Sequence, residues 1–353
     1  MRKKLLADLA TRRDGYRSIQ QHEQAPEPSR NMTAQDQTLA HYHHLMQINA
    51  ASHLIRSARR LGLLDALRQG QKSLPQLAGA LSVPTHPLDL LLNTLTTIGL
   101  VEQYQEDYAL SQTGQLLCQY DEDLGDQTWE RLVDLVREPA VRQTHDDQLH
   151  HHRVAATQWI HTPAAIQAAE ILDVDGEEGE AAYRILDLGC GSAVWSCAMA
   201  HRAPQATIAA VDEADALVAA QSTADSIKLG DRFETITGQP GEVELPAESF
   251  DLVLIAQQIG CRGQEEADSL LQRAIGAARQ GGRIAVIDLF SGPAKPALAE
   301  TIEALRLELG TRAGHVRTLE QIQRLMVDQG LRSVQFAFLE ASKENLGMAV
   351  GTK

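Results

Sequence analysis

The sequence predicts an α/β fold with a doubly wound, mostly parallel sheet, preceded by an all-helical or winged-helix domain. An apolar run at 185–188 leads into a glycine turn and a helical segment. Apolar strand-like runs then alternate with helical segments as far as residue 288, which is the pattern of a parallel sheet with crossover helices. Residues 51–67 instead carry apolar residues at helical spacing, which indicates an amphipathic helix in a separate domain.

The glycine turn contains Asp187, Gly189 and Gly191 and is followed by the mostly apolar segment 193–200. Glycines let the backbone bend sharply and let a ligand approach a helix N-terminus, where free N–H groups and the positive end of the dipole collect. The turn therefore predicts a nucleotide-type pocket. A plain strand-to-helix corner is the alternative interpretation.

A second acidic residue follows at a suggestive spacing. Asp212 ends the apolar run 207–211 and lies 25 residues after Asp187 (212 − 187). This is close to the spacing at which a carboxylate at the end of a second strand meets a ribose in dinucleotide folds. Three further strands are predicted, at 232–238, 250–256 and 282–288. Ligands of such sheets bind over the carboxyl ends of the strands.

These pieces resemble, in order and content, the Rossmann-like sheet of the class I S-adenosylmethionine-dependent methyltransferases. The resemblance implies S-adenosyl-L-methionine as the cofactor, with the glycine turn at its methionine moiety and Asp212 at its ribose. It also implies positions for the residues that follow the third and fourth strands. We expect those residues to contact the cofactor, the first two of them near the adenine: Gly238, Gln239, Ala256 and Gln257.

The glycine fingerprint departs from the family pattern at one position. Family members often carry a third glycine two residues after Gly191, where this chain has Ala193. An NAD-binding domain is the competing interpretation. It is disfavoured because a pyrophosphate needs closer backbone approach than this turn provides.

Composition limits the remaining function classes. The 353 residues suffice for two domains, and 47 acidic against 32 basic residues give a net charge of −15, which disfavours nucleic acid as a partner. Four cysteines without paired spacing predict a reduced, cytoplasmic setting, and no apolar run approaches the roughly 20 residues that span a bilayer. Residues 1–35, with a basic start, are predicted to be a flexible tail.

Residues 36–122 show a winged-helix pattern. Helical segments are followed by a two-stranded wing at 101–110. The would-be recognition helix, 87–100, has no Lys or Arg, and the wing carries Glu102, Glu106 and Asp107. A helix in the major groove needs donors for base edges and cations for phosphates, so we expect a dimerisation domain rather than a DNA reader. Residues 123–180 are predicted to be connecting helices and an acidic linker.

This module joined to a methyltransferase domain at 181–353 resembles the winged-helix small-molecule O-methyltransferases. That family includes plant caffeate enzymes, the acetylserotonin enzyme and bacterial carotenoid enzymes. The resemblance implies an intertwined homodimer and a small, aromatic or secondary-metabolite acceptor, with neither nucleic acid nor membrane as a partner.

The base that family members use on phenols is missing. A phenol, with a pKa of about 10, is a poor nucleophile until its proton leaves, and the family supplies a His after the fourth strand with two acidic helpers. Here the His position falls on Gly260, the first helper is Asp288 and the second falls on Val316. Asp288 and His315 are the remaining candidates for catalysis. Three hypotheses stay open: an acceptor that needs little deprotonation, non-methylating chemistry on the sulfonium, and a non-catalytic ligand-binding or regulatory role.

Histidine runs at 41–44 and 145–152 raise the question of a metal site. Neither run has the i, i+4 pair of a helical metal site, so we predict no metal. His145 and Trp159 are instead expected to line a pocket for an aromatic substrate. Cys261 beside Arg262 is a further candidate, as a thiolate favoured by the cation, against an idle thiol.

Overall fold

The computed structural model describes residues 34–120, 125–144, 147–174, 183–292 and 294–353. The chain divides into two compact units between Gln119 and Tyr120. The predicted tail, apart from its last two residues, and most of the predicted acidic linker lie outside the described residues. No helix in these ranges is both long enough and apolar enough to cross a bilayer.

The first unit consists of helices around a small antiparallel sheet with strand order β1-β3-β2. Its elements are α1 (Ala34–Arg60), α2 (Leu63–Arg68), β1 (Lys72–Ser73), α3 (Leu74–Leu81), α4 (Thr85–Thr97), β2 (Val101–Tyr104), β3 (Asp107–Leu110) and α5 (Gln112–Tyr120). The predicted helix 51–67 is broken at Gly62, whose φ of 78° only glycine adopts readily. The predicted wing is the hairpin β2–β3, so the winged-helix pattern is confirmed.

Local sequence explains where the helices of this unit begin. Ser73 precedes α3, and its backbone N–H donates to the Gln76 side chain at 2.9 Å in a capping box. The core is built from one apolar face of each helix, represented by Ala58, Leu77 and Leu92, all without exposed surface. Burial of these faces stabilises helices that would be marginal in isolation.

The second unit opens with short helices that precede its sheet. They are α6 (Asp126–Trp129), α7 (Leu132–Arg137), a 3-10 helix (Pro139–Thr144), α8 (Asp147–Thr157), a second 3-10 helix (Gln158–His161) and α9 (Thr162–Leu172).

A seven-stranded sheet of strand order β11-β12-β8-β7-β4-β5-β6 follows. Its strands are β4 (Arg184–Leu188), β5 (Thr207–Asp212), β6 (Phe233–Thr237), β7 (Phe250–Ala256), β8 (Ala278–Asp288), β11 (Arg332–Phe338) and β12 (Gly347–Thr352). The helices between them are α10 (Val194–Arg202), α11 (Ala214–Ser226), α12 (Gln264–Ala277), α13 (Leu298–Gly310) and α14 (Leu319–Asp328). A minor parallel pair is formed by β9 (Phe290–Ser291) and β10 (Arg317–Thr318).

Five neighbouring strands, β8-β7-β4-β5-β6, pair in parallel, and β12 pairs antiparallel with both β8 and β11. Alternate residues of each strand enter two different cores: Ile185 packs with α9, α10 and α11, whereas Leu186 packs with α12 and α14. Helices therefore cover both faces, and the predicted doubly wound α/β sheet is confirmed.

Candidate functional site

The glycine turn between β4 and α10 is built from three residues with positive φ. Gly189 has φ 74°, Gly191 has φ 56° and Ala193 has φ 55°. The N–H groups of Gly189 and Cys190 both donate to the carbonyl of Val211 on β5, at 2.9 and 3.1 Å. Ala193 thus adopts the left-handed conformation for which relatives often use a third glycine, at a cost of roughly 1 kcal/mol.

Asp187 ends the strand before this turn, and its side chain is fully buried. Its Oδ2 accepts the Ser196 hydroxyl at 2.6 Å, and its Oδ1 has no partner among the residues that the structure describes. Burial raises the pKa of Asp187 to about 7. The side chain faces α10, so its role in cofactor binding stays a prediction.

Asp212 is the last residue of β5, and its carboxylate is held from three sides. The N–H groups of Gly191 and Glu213 each donate to it at 2.7 Å, and Nε2 of His151 lies 2.8 Å from its Oδ1. Burial alone would raise the pKa of Asp212, but the hydrogen bond and charge of His151 and the two N–H groups lower it. Asp212 is therefore an ionised acceptor fixed beside the turn.

A cavity of about 700 Å³ opens next to Asp212. It is bounded by the N-terminal parts of α8 and α12, the segment after β6, and the loop after β7. Its lining includes Asp212 and Gln239 of the predicted site. Gly238 lies under Val243 with φ 158°, and Ala256 is 1% exposed at the end of β7. Neither of these two lines the cavity.

Two further side chains contact the turn, and a third, His151, contacts one of them and Asp212. Oε1 of Gln158 accepts the Ser192 N–H at 3.0 Å. Nε2 of Gln258 donates to the Gly189 carbonyl at 3.1 Å and lies 3.3 Å from Nδ1 of His151. The histidine run 145–152 drew attention to the segment that contains His151. Because the run has no helical periodicity, the sequence could not indicate which histidine faces the sheet.

The three positions of the missing base apparatus do lie together. Oδ2 of Asp288 accepts the Gly260 N–H at 2.6 Å, and the His315 N–H donates to the Gly260 carbonyl at 2.8 Å. Arg317, one residue beyond the half-buried Val316, donates to the carbonyls of Ile259 and Arg262. These contacts hold the loop after β7 in place.

Asp288 has both carboxylate oxygens engaged by backbone, since its Oδ1 accepts the Leu289 N–H at 2.9 Å. Burial raises its pKa to about 6, against the lowering effects of the two N–H groups and of Arg317. His315 is half-buried in the loop beside Gly260. Neither Asp288 nor His315 lines the cavity, and a catalytic role for either stays a prediction.

We expect Gly260→Ala to destabilise the protein by about 1–3 kcal/mol, the range for overpacking a close-packed site. A Cβ at Gly260 would lie 2.7 Å from Oδ1 and 3.0 Å from Oδ2 of Asp288. Urea unfolding of Gly260→Ala beside Gly276→Ala checks this, because a Cβ at Gly276 meets no atom within 4 Å. Equal destabilisation of the two variants would contradict the close approach.

A buried polar cluster lies on the other side of the turn. His161 stacks on Trp195 with ring centroids 5.7 Å apart, and its Nε2 lies 3.1 Å from Nε2 of Gln257 and 3.6 Å from Oε2 of Glu344. Burial lowers the pKa of His161 to about 4, so the imidazole is neutral at neutral pH. Gln257 has φ 57°, a strained conformation for a residue with a side chain.

The other candidates do not form a metal site in the part of the chain that the structure describes, since no group of three or more His, Cys, Asp or Glu could hold an ion there. His145 lies outside that part, and Trp159 lies in the second 3-10 helix. Cys261 lines the cavity, but burial raises the pKa of its thiol. The thiolate interpretation is therefore disfavoured.

Two family profiles match the sequence. Residues 185–282 match the methyltransferase domain, and residues 43–119 match the O-methyltransferase dimerisation domain. A curated relative is the ubiquinone/menaquinone biosynthesis C-methyltransferase UbiE of Paracoccus denitrificans, 28% identical over 142 residues. The match covers 40% of this chain and 51% of that enzyme, so the chain spans about half the length of this relative.

Solved structures share the fold. The mitomycin 7-O-methyltransferase MmcR has a TM-score of 0.71 at 19% identity, with 91% of this chain and 99% of that chain covered. Human N-acetylserotonin methyltransferase gives 0.66 at 18% identity, covering 92% and 99%. An O-methyltransferase family protein from Burkholderia thailandensis gives 0.67 at 18%, covering 89% and 98%.

The dimerisation profile covers the winged helix, and the methyltransferase profile begins one residue into β4 and covers the glycine turn, Asp212 and Gln239. The chain therefore joins an O-methyltransferase dimerisation domain at residues 43–119 to a methyltransferase domain at residues 185–282.

Proposed function

We propose that this protein transfers a methyl group from S-adenosyl-L-methionine to an oxygen of a small, aromatic or secondary-metabolite acceptor. The observation that carries the proposal is the cavity beside the glycine turn, lined by the ionised Asp212 and by Gln239. A carboxylate at the end of the second strand accepts hydrogen bonds from ribose hydroxyls. When bound, the cofactor supplies an electrophilic methyl group on a sulfonium.

The residues present suit the adenosine half of this cofactor. Asp212 uses three of its roughly four lone-pair sites on Gly191, Glu213 and His151, which leaves one for a ribose hydroxyl. A second hydroxyl can bond to it only if His151 gives up its contact. His151 therefore sits where it competes with the ribose, and we expect it to change partner when the cofactor binds.

The absent base limits the acceptor. Gly260 offers no side chain, and both oxygens of Asp288 are held by backbone N–H groups. We therefore infer an acceptor whose hydroxyl is acidified by its own substituents and is ionised near neutral pH. A phenol with a pKa of about 10 would react slowly, since little of it is ionised and no side chain at residue 260 takes its proton.

Calorimetric titration with S-adenosylmethionine and S-adenosylhomocysteine tests the cofactor. Transfer of radiolabel from S-adenosylmethionine to phenol and to 4-nitrophenol then tests the acceptor class. We expect both cofactor forms to bind, and transfer to favour 4-nitrophenol with a rate that follows its ionisation. Failure to bind either form would contradict the proposal.

The second candidate is an S-adenosylmethionine-binding relative that performs other chemistry or none. It is favoured by the same missing base and by the side chains of His151 and Gln258, which already contact Asp212 and Gly189. Binding of both cofactor forms without transfer to any phenol would support this candidate over O-methylation.

We also propose a homodimer formed through the first unit. Helix α1 exposes about half of each large apolar side chain along one stretch: Leu39, Tyr42, Leu45, Met46 and Ile48. A second copy that buries these side chains gains roughly 25 cal/mol for each Å² removed from water. Light scattering after gel filtration tests this; a monomer at micromolar concentration would contradict it.

A further inference from the structure

Besides Oδ1 of Asp187, two buried polar atoms near the glycine turn have no hydrogen-bond partner among the described residues, and they are of opposite kinds. The indole Nε1–H of Trp195 is a donor on a side chain with no exposed surface. Oε1 of Gln257 is an acceptor on the side chain whose Nε2 lies 3.1 Å from His161. An unpartnered buried polar group costs about 1–3 kcal/mol, so two of them around one imidazole indicate a site completed by a ligand.

The backbone supports this interpretation. Gln257 is in the left-handed region with φ 57°, a conformation that costs roughly 1–3 kcal/mol for a residue with a side chain. It directly follows β7, whose neighbour in the sheet is β4. Strain and missing hydrogen bonds therefore coincide at the carboxyl edge of the sheet, beside the turn.

We propose that Trp195, Gln257 and Glu344 form the subsite for the amino-acid end of the cofactor. The Trp195 N–H would donate to the carboxylate of that end, and Gln257 Oε1 and the Glu344 carboxylate would accept from its ammonium. This inference rests on the proposed function, because it assigns residues to one end of the proposed cofactor.

Sheet order places the two ends of such a ligand on opposite sides of one strand. β4 carries the glycine turn; on one side lie β5 and β6, which lead to Asp212 and Gln239. On the other side lies β7, which leads to Gln257, and beyond β8 lies β12, which Glu344 precedes. Neighbouring strands lie about 4.8 Å apart, so an extended molecule that crosses the turn reaches from one group of residues to the other.

Charged groups of both signs surround Glu344. Its neighbours are His161, which is neutral, Glu303 and Arg306 on α13, and Arg153 on α8. Burial first, and then Glu303, raise the pKa of Glu344 to about 7, against the lowering effects of Arg306 and Arg153. An arriving ammonium favours the ionised carboxylate, so binding at pH 7 should release protons.

The test compares two ligands on the full-length protein by calorimetry. S-adenosylhomocysteine carries the amino-acid end, whereas 5′-methylthioadenosine keeps the adenosine and thioether and lacks that end. The variants are Trp195→Phe, which removes the N–H and keeps a stacking ring, and Glu344→Gln, which removes the charge. Glu340→Gln is the matched control, since Glu340 is exposed in the same β11–β12 connection.

We expect each variant to bind S-adenosylhomocysteine about tenfold more weakly, the effect of one hydrogen bond to a charged group, and 5′-methylthioadenosine within about twofold. Titration in two buffers of different ionisation enthalpy should detect proton release with S-adenosylhomocysteine only, and none in Glu344→Gln.

Equal effects on both ligands, or no effect on either, would overturn the subsite while leaving the proposed function intact. A wild-type protein that binds neither ligand would reject the proposed function itself. If Trp195→Phe does not fold, the proposed subsite is still tested by ligand binding to Glu344→Gln and by proton release in the wild type.

Discussion

Asp187→Asn should make the protein more stable than the wild type at pH 8, although it alters a fully buried side chain. Burial raises the pKa of Asp187 from 3.8 to about 7, and its Oδ1 has no partner that would favour the charged form. A rise of about 3 units corresponds to about 4 kcal/mol of stability, at 1.36 kcal/mol per unit. A carboxyl with a raised pKa contributes this stability fully below about pH 4 and loses it as the pH rises through 7.

Urea unfolding of wild type and Asp187→Asn at pH 5, 6, 7 and 8 measures the effect. An asparagine keeps an oxygen that accepts a hydrogen bond from the Ser196 hydroxyl, and it does not titrate. The free energy of unfolding of the variant, relative to that of the wild type, should therefore rise at each increase in pH. Asp225→Asn, a change on α11 far along the helix from the turn, is the control and should run parallel to the wild type. Parallel curves for Asp187→Asn would mean that folding does not raise the pKa of Asp187.

The sequence was informative about the glycine turn because that feature is local. A strand, a turn and a helix within 185–200 carry their own signals, and the structure realises all three. Even the departure at Ala193 leaves the backbone at φ 55°. Here the bonds from the turn to Val211 and the burial around α10 hold the conformation that a third glycine would adopt more readily.

The sequence was less informative about what faces the turn, because those contacts join distant segments. His151 and Gln158 come from elements more than 30 residues before the turn, and they reach it only because α8 packs above the sheet edge. Helix α8 has no clear apolar face, so no periodicity could indicate which of its three consecutive histidines meets Asp212.

The positions of the missing general base were likewise predicted only in part from the sequence. Alignment alone placed Gly260, Asp288 and Val316 as the remains of a base apparatus, and the structure brings the first two into direct contact. What the alignment could not show is that Asp288 accepts from two backbone N–H groups. These two bonds engage both of its oxygens, and the one from Gly260 holds the loop after β7 in place. Ionisation of the acceptor itself is therefore the simpler source of a nucleophile.

Asp212→Ala should weaken binding of S-adenosylhomocysteine by a factor of ten or more. The substitution removes the carboxylate proposed for the ribose, and it leaves the buried Gly191 N–H without its acceptor. Loss of a hydrogen bond to a charged group costs about 1.5–3 kcal/mol, which is at least tenfold in affinity. Calorimetry measures the loss, with Asp215→Ala as the control, because Asp215 is an exposed carboxylate in the first turn of α11.

A second pair of ligands separates a ribose contact from collapse of the turn. Adenosine and 2′,3′-dideoxyadenosine differ only in the two hydroxyls that Asp212 is proposed to bind. The wild type should prefer adenosine by about tenfold, the effect of one charged hydrogen bond, and Asp212→Ala should bind the two alike. A variant that binds both ligands weakly but keeps the preference would show that Asp212 acts on the turn through Gly191 and not on the ribose. Another group in the cavity would then have to bind the ribose. His151 would be the first residue to substitute, because it already lies between Asp212 and Gln258.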